Sequence, residues 1–246
     1  MNYYITIVIV LTLIYLFYIY YYRYSHHNTI SFSTCSTCEK YNVHQSHNDQ
    51  TEAADIMRIV ASKNAKLMEH LQSKYVHNGF TPRMDTLKNN RIDIVNNSDI
   101  FPWSAESMFA TNEILESEYI QERVQQLIKN YNPKEIYEIS PLNQSGVTSY
   151  TQDKRTLILC LRKKEKNKDG ENDLHDINTI TFVVIHELSH MMNDLWGHKM
   201  NFWVLFKFML LNAVECKIYT PVDYSKKPLL YCGLLITYNP LYDSLV

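Results

Sequence analysis

The hydrophobic positions of the chain form one unbroken run near the N-terminus and shorter periodic runs after it. The first run, Tyr3 to Tyr22, has 20 residues and no charged side chain, and tyrosines cluster at both of its ends. A helix of this length rises about 30 Å, the thickness of a bilayer core, and tyrosine is enriched at membrane interfaces. The pattern therefore predicts one N-terminal transmembrane helix over residues 3–22.

A cleaved signal peptide is the alternative interpretation of this run. Such a peptide has a basic start, a shorter apolar core and a cleavage site of small residues, and none of these is present. Arg23 and Lys40 follow the run and no basic side chain precedes it, which favours a cytoplasmic position for the rest of the chain. We therefore expect a single-pass membrane protein that has the lipid bilayer as a partner through residues 3–22.

Residues 23–48 are polar and show no periodicity, which is typical of a juxtamembrane linker. They contain Cys35 and Cys38 in a C-x-x-C pattern, with His44 and His47 downstream. One such pattern is half of a zinc site or a redox pair. Because the chain has no second C-x-x-C, we favour incidental linker thiols.

Helical periodicity begins where the linker ends, so we expect one folded domain over residues 49–246. Apolar residues three and four positions apart predict helices at Thr51–Lys74 and Glu113–Asn130, with a shorter one at Met84–Asn90. The pair Asp49–Glu52 has the spacing of a capping box for the first of them.

Alternating patterns predict short strands in the core of the domain, residues 133–237. These strands are Ile136–Ile139, Val147–Thr151 and Thr156–Leu161. The last is the strongest, and it is either the edge strand on which a peptide substrate pairs or a plain core strand.

The most apolar part of the domain predicts two consecutive helices. The first begins at an N-cap, Asp176 or Asn178, and runs to about Leu195, and the second covers about Asn201–Lys217. The resulting fold class is α+β, with the first of these helices packed on a small sheet and one transmembrane helix at the N-terminus.

Composition narrows the expected function. The formal charge of the 246-residue chain is -2, so no global basic field indicates nucleic-acid binding. The basic run in residues 162–170 is interleaved with acidic side chains, as in a solvated loop. The five cysteines are odd in number and irregularly spaced, which predicts no disulfide framework and favours a reducing compartment.

The first of the two apolar helices carries an H-E-x-x-H motif, His186-Glu187-Leu188-Ser189-His190. Residues i and i+4 lie on one face of a helix, so both histidines can bind one metal ion. Zinc in hydrolytic sites has three protein ligands and a water of lowered pKa. We expect Glu187 to take the proton of that water and to pass it to the leaving amine.

The third zinc ligand must come from outside the motif. His198 follows Gly197, which lets the chain turn back toward the helix, whereas Glu215 on the second helix is the competing ligand. We favour His198. Two histidines and a glutamate on one apolar helix are costly to bury without a metal, which argues against a chance motif.

Other roles in the site are less defined by the sequence. Four side chains close in sequence are candidates to orient the imidazoles. They are Asn193, Asp194, His175 and Asp176. Tyr150 is a candidate to stabilise an oxyanion.

The central motif resembles the signature of the WLM-domain metallopeptidases, and it is similar to that of the related SprT/Spartan proteases. In these families a third histidine precedes an aromatic residue by four positions, as His198 precedes Phe202 here. Further blocks resemble WLM-like proteins of giant DNA viruses, so that the resemblance covers about Pro133 to Thr237. These blocks are Thr148–Thr151, Leu159–Arg162, Leu174–Asn178, Pro221–Ser225 and Tyr231–Gly233.

The resemblance implies a zincin-like α+β core that holds Zn²⁺ at His186, His190 and His198, with Glu187 as the base. The function expected is that of a membrane-anchored zinc-dependent endopeptidase, acting on a protein or peptide from the cytoplasm or from inside a virion. One alternative is a zinc-stabilised, non-catalytic membrane or virion protein. Another is a DNA-dependent protease for DNA–protein crosslinks, although the chain lacks the basic tail of the cellular relatives. The sequence leaves the substrate and the oligomeric state open.

Overall fold

A computed structural model describes residues 3–27, 29–33, 40–45, 47–76, 118–139, 148–168, 170, 172–243 and 246. The predicted Cys35/Cys38 pair, the short helix Met84–Asn90 and the first residues of the helix predicted from Glu113 lie outside these ranges. The helices are α1 (Tyr3–His27), α2 (Gln50–Tyr75), α3 (Glu118–Asn130), α4 (Ile177–Met192) and α5 (Met200–Glu215), with a 3₁₀ turn at Pro240–Tyr242. The strands are β1 (Thr29–Ser33), β2 (Lys40–His44), β3 (Ile136–Glu138), β4 (Tyr150–Gln152), β5 (Thr156–Leu159), β6 (Arg162–Lys166), β7 (Asn172–Leu174), β8 (Leu229–Tyr231) and β9 (Leu234–Ile236).

The main sheet is mixed, and its strand order is β1-β2-β3-β5-β4. β2, β3 and β5 run parallel, whereas β1 and β4 pair antiparallel at the two edges. Parallel neighbours require long crossover connections, and helices α2 and α3 lie in the connection from β2 to β3. The fold is therefore mixed α/β, and the predicted class, α+β with a transmembrane helix, is wrong. The segment predicted as linker, residues 23–48, supplies two strands of the sheet.

The N-terminal run does form a helix, but this helix lacks the properties of a membrane span. Throughout the described ranges, no helix combines the length and the apolar character that crossing a membrane requires. The absence of charge is not the same as apolarity, because eight of the 25 residues of α1 are tyrosines, whose hydroxyl groups need hydrogen bonds. The prediction of a transmembrane helix over residues 3–22 is therefore wrong, and so is the single-pass membrane location that depends on it.

Helices α2, α3 and α5 pack around α4. Twelve of the 16 residues of α4 are buried, as are the inward-facing positions of α2 at helical spacing, such as Val60, Leu67 and Leu71. A helix that is apolar all round belongs in a protein interior. This packing holds the helix that carries the H-E-x-x-H motif rigidly inside the domain.

A buried carboxylate joins the sheet to α2. Glu138 accepts hydrogen bonds from the main-chain nitrogen of His44 (2.7 Å) and from Nε of Arg162 (2.7 Å). The same guanidinium donates to Asp49, which lies at the start of α2 and makes no side-chain cap. The capping box predicted at Asp49–Glu52 is therefore absent, because the Asp49 carboxylate pairs with Arg162 instead.

A disulfide joins Cys160, at the end of β5, to Cys232, in the turn between β8 and β9. These cysteines are 72 residues apart, so their irregular spacing in the sequence gave no sign that the fold brings them together. The prediction that the cysteines form no disulfide needs this correction, and it no longer supports a reducing compartment. Among the described cysteines, Cys216 is a free thiol.

We predict that the double substitution Cys160→Ala/Cys232→Ala lowers the free energy of unfolding by about 4 kcal/mol, because the cross-link restricts a long loop in the unfolded chain. Urea unfolding followed by circular dichroism measures the effect. Cys216→Ala is the control and should cost much less. Equal costs for the two variants would show that the cross-link contributes nothing.

Candidate metal centre

Helix α4 begins at a defined cap and ends just after the H-E-x-x-H motif. The Asp176 side chain accepts a hydrogen bond from the main-chain nitrogen of Thr179 (2.9 Å), which confirms Asp176 as one of the two predicted N-caps. The helix ends at Met192, with Asn193 as its C-cap. Its bounds are therefore close to those predicted, and they place His186 and His190 one turn apart.

The loop after α4 turns the chain back toward the motif. Gly197 has φ +81°, a left-handed conformation that glycine adopts without strain, as the sequence predicted. The side-chain oxygen of Asn193 accepts hydrogen bonds from Nδ2 of Asn201 (2.7 Å) and from the main-chain nitrogen of Leu195 (3.2 Å). The loop is thus tied to the start of α5, and His198 is delivered beside the helix.

Three imidazole rings converge at this point. Nε2 of His198 lies 3.0 Å from Nε2 of His186 and 3.1 Å from Nε2 of His190, and one ring nitrogen of each histidine lies within 4.8 Å of the other two. Phe202 stacks on His190 with ring centroids 4.3 Å apart, and Trp203 donates from Nε1 to the His198 carbonyl (3.1 Å). The aromatic start of α5 therefore sets the orientation of the rings.

The surroundings keep the three imidazoles neutral. Burial lowers the pKa of His186 far below its ordinary value, and the neighbouring histidines lower it further. Burial also lowers the pKa of His190 to about 4 and, to a smaller extent, that of His198. Neutral imidazole nitrogens that face one point are the donors that zinc takes in sites with three protein ligands. The residues present therefore fit the metal that the motif implies.

Glu187 lies beside the cluster and is only 5% exposed. The hydroxyl group of Thr151 on β4 donates to its side-chain oxygen Oε2 (3.1 Å) and to its carbonyl oxygen (3.0 Å). Burial raises the pKa of Glu187 to about 7, against the lowering effect of the Thr151 hydrogen bonds. Sequence reasoning missed Thr151, because the two residues are 36 positions apart and only the packing of α4 against β4 brings them together.

Glu215, the competing third ligand, lies away from the cluster. It ends α5, whose 16 residues span about 22 Å, and its Oε2 is 2.5 Å from Nζ of Lys74. Of the candidates to orient the imidazoles, Asn193 shapes the loop and Asp194 lies 3.9 Å from Nη1 of Arg123.

The last two orienting candidates lie at the start of α4 and just before it. Asp176 is the N-cap, and Nε2 of His175 accepts from the main-chain nitrogen of Cys232 (3.3 Å). Tyr150, predicted as a candidate oxyanion stabiliser, is the first residue of β4. Of the residues predicted for the site, the structure brings together the base, Glu187, and the three ligands, His186, His190 and His198.

The sequence leaves two roles open for the segment Thr156–Leu161, an edge strand that pairs with a substrate or a plain core strand. Residues Thr156–Leu159 of this segment form β5, which lies inside the sheet between β3 and β4. The segment therefore supplies a core strand. One edge of the sheet is β4, which carries Thr151 and pairs with β5.

A cavity of about 280 Å³ opens directly beside the cluster. His186, Glu187 and His198 form one part of its wall, and other residues of α4, α5 and the β8–β9 hairpin form most of the rest, together with Thr148, Thr237 and Tyr238. The candidate metal centre is therefore reached from a pocket and is not sealed within the core.

Comparison with known proteins finds relatives in large DNA viruses. The chain is 36% identical over 102 residues to an uncharacterized protein of Acanthamoeba polyphaga mimivirus, covering 41% of this chain and 48% of the relative. It is 34% identical over 76 residues to an uncharacterized protein of Invertebrate iridescent virus 6, covering 31% and 41%. A third, from Invertebrate iridescent virus 3, is 34% identical over 88 residues, covering 35% and 50%. The matches span half or less of each of these relatives.

No protein family model matches the chain, and no solved structure matches its fold. No solved structure therefore supports the zincin-like fold that the sequence resemblance implies. The mixed sheet also differs from the predicted α+β class. That fold assignment is corrected to mixed α/β. The local geometry of the histidines does not depend on it.

We predict that the full chain binds one zinc ion and that His190→Ala lowers the affinity more than 100-fold. Removing a group that only orients a metal ligand already lowers metal affinity roughly 10- to 100-fold, so removing the ligand itself should lower it more. Competition with a chelating dye measures the affinity. Glu215→Gln is the matched control, and it should bind zinc like the unaltered protein. A large loss of zinc affinity in Glu215→Gln, with no loss in His190→Ala, would contradict this assignment of the ligands.

We also predict a pH effect in the metal-free protein. Because the folded-state pKa of Glu187 is raised to about 7, the folded chain holds a proton that the unfolded chain releases near its ordinary pKa of 4.5. The contribution of Glu187 to the free energy of unfolding therefore falls as the pH rises through that interval, whereas the lowered pKa values of the histidines act in the opposite direction in both proteins. Glu187→Gln should remove this loss and should gain about 3 kcal/mol over the unaltered protein between pH 4.5 and pH 8.

Urea unfolding in the presence of a chelator measures this difference at each pH. Parallel stability curves for the two proteins would contradict the raised pKa of Glu187.

Proposed function

We propose that this protein is a zinc-dependent endopeptidase, with Glu187 as its general base. The observation that carries the proposal is the convergence of His186, His190 and His198 beside a buried glutamate at the wall of an open cavity. The resemblance of the motif to WLM-domain metallopeptidases supports the same reaction.

Each polar group has a defined part in this proposal. His186, His190 and His198 would hold the ion, which when bound supplies a Lewis acid and lowers the pKa of water. Glu187 accepts the proton of the attacking water and delivers it to the amine that leaves. A base with a pKa near the working pH performs both transfers well, and burial brings Glu187 close to that value. Thr151 fixes the direction of the carboxylate.

The arrangement favours catalysis over a purely structural ion. Structural zinc sites have four protein ligands, whereas catalytic sites have three and keep one position open. In the described part of the chain the cluster contains three histidines, and His198 is exposed. A structural site also has no use for a buried carboxyl group beside its ligands, where burial without a charge partner is costly.

The position of β4 suits a peptide substrate. An extended peptide can add to the edge of a sheet by main-chain hydrogen bonds, and β4 is the edge strand that contacts Glu187 through Thr151. A peptide lying along β4 would pass beside the three histidines.

We predict that Glu187→Gln keeps zinc and lowers the rate of peptide cleavage roughly 100- to 10,000-fold, the usual contribution of a general base. Casein and histone digestion, followed by mass spectrometry of the fragments, measures the rate. Gln fills the same space, so folding should be preserved.

Glu215→Gln, prepared in parallel, is the control and should cleave like the unaltered protein. Full cleavage by Glu187→Gln, or equal loss in both variants, would contradict the role of Glu187. No cleavage by the unaltered, zinc-loaded protein would contradict the proposed function itself.

A further inference from the structure

We propose that the cavity beside the histidines is a specificity pocket for one large apolar side chain of the substrate. That side chain belongs to a residue next to the scissile bond. The inference rests on the proposed peptidase function and adds the class of sequence that is cut.

The position of the cavity links its occupant to the reacting bond. His186, Glu187 and His198 belong to its wall, so a side chain inside it stems from main chain that lies against the cluster. A peptide on β4 would be in the right place, because Thr151 of that strand contacts Glu187.

Most of the remaining wall of the cavity is apolar. Aromatic rings and aliphatic side chains supply it from three elements. They are Phe182 and Val183 of α4, Trp203 and Phe206 of α5, and Leu234, Leu235 and Ile236 of β9.

The two tyrosine hydroxyl groups in this wall are already engaged. That of Tyr231 donates to the Cys160 carbonyl (2.6 Å), and that of Tyr238 donates to Asp243 (3.0 Å). Among the described residues that line the cavity, Glu187 is the only one with a carboxyl group, and none is a lysine or an arginine. Away from the histidines, an acidic side chain would therefore lose its hydration without gaining a cationic side chain as a partner.

The size of the cavity is sufficient for one large side chain. Its volume of about 280 Å³ lies at the lower end of the range of about 300–1,000 Å³ found for small-molecule sites. The volume suits one leucine, methionine or phenylalanine side chain.

The β8–β9 hairpin forms the outer wall and is fixed before any ligand arrives. Tyr231 is buried, with its hydroxyl group 2.7 Å from Oγ of Ser149, and the next residue, Cys232, forms the disulfide to Cys160. Leu234 is nevertheless 55% exposed. An exposed leucine on an anchored wall can cover a substrate side chain without a rearrangement of the main chain.

The hairpin also provides a matched pair of positions for a test. Tyr231 and Leu234 are paired in the register and both belong to the lining of the cavity. Leu230 is the neighbour of Tyr231 and is not part of the lining, although its partner in the register, Leu235, is. Leu230 is 44% exposed, so a lysine is tolerable at either Leu230 or Leu234.

The test compares cleavage of a peptide library by the full-length protein, by Leu234→Lys and by Leu230→Lys. At one position beside the cut, we expect the unaltered protein and Leu230→Lys to prefer leucine, methionine or phenylalanine over serine or aspartate. The preference in cleavage rate should be at least about 10-fold, since even one methylene in an apolar pocket changes the rate roughly 10- to 200-fold. Leu234→Lys should lose most of that preference. Cleavage without any apolar preference, or an equal change in both variants, would overturn the pocket and leave the peptidase function standing.

A binding measurement separates the pocket from the chemistry. Fluorescence anisotropy with the Glu187→Gln protein, without added metal, measures the binding of labelled peptides. The peptides differ only at the position beside the cut, which holds phenylalanine in one and aspartate in the other. If no cut is found, each central position of the peptide is varied in turn. We expect at least about 10-fold tighter binding of a phenylalanine peptide, lost in Glu187→Gln/Leu234→Lys. Equal affinities would overturn the pocket, and binding preference with no cleavage by the unaltered protein would overturn the peptidase function alone.

Discussion

The structure of the site depends on the burial of α4. This helix is packed by α2, α3 and α5 and is apolar over most of its surface, yet it carries a glutamate and two histidines. Removal from water disfavours the charged forms of all three side chains. The histidines are therefore held neutral, with ring nitrogens available for a metal, and the glutamate is held near the midpoint of its titration at neutral pH. One cause, burial, prepares both the ligands and the base.

The third histidine completes the cluster only because the chain after α4 is constrained. Gly197 permits the reversal, the Asn193–Asn201 hydrogen bond closes the loop, and Phe202 and Trp203 hold the rings and the main chain in place. The same start of α5 supplies part of the cavity wall. Ligand geometry and the shape of the proposed specificity pocket are thus set by the same few contacts, so a change in this loop would affect both.

The local part of this arrangement could be predicted from the sequence, because it depends on residues close together in the chain. The spacing of the H-E-x-x-H motif, the Asp176 cap, the approximate bounds of α4 and α5 and the return at Gly197 all follow from short-range rules. What depends on distant pairing could not be predicted. Thr151 contacts Glu187 from strand β4, 36 residues earlier in the chain, and the Cys160–Cys232 disulfide joins cysteines that are 72 residues apart. β1 and β2 join the sheet from a segment without clear periodicity. The N-terminal run is uncharged but rich in tyrosine, and no described helix is long and apolar enough to cross a membrane.

The central claim is that three histidines hold one zinc ion and leave a position open beside Glu187. X-ray absorption spectroscopy of the zinc-loaded, full-length protein tests it most directly, because nitrogen and sulfur ligands differ in distance from zinc. The account predicts three imidazole nitrogens at about 2.0–2.1 Å, one further light atom and no sulfur. Sulfur at about 2.3 Å, the distance of a cysteine ligand, or a shell of four imidazoles would contradict it.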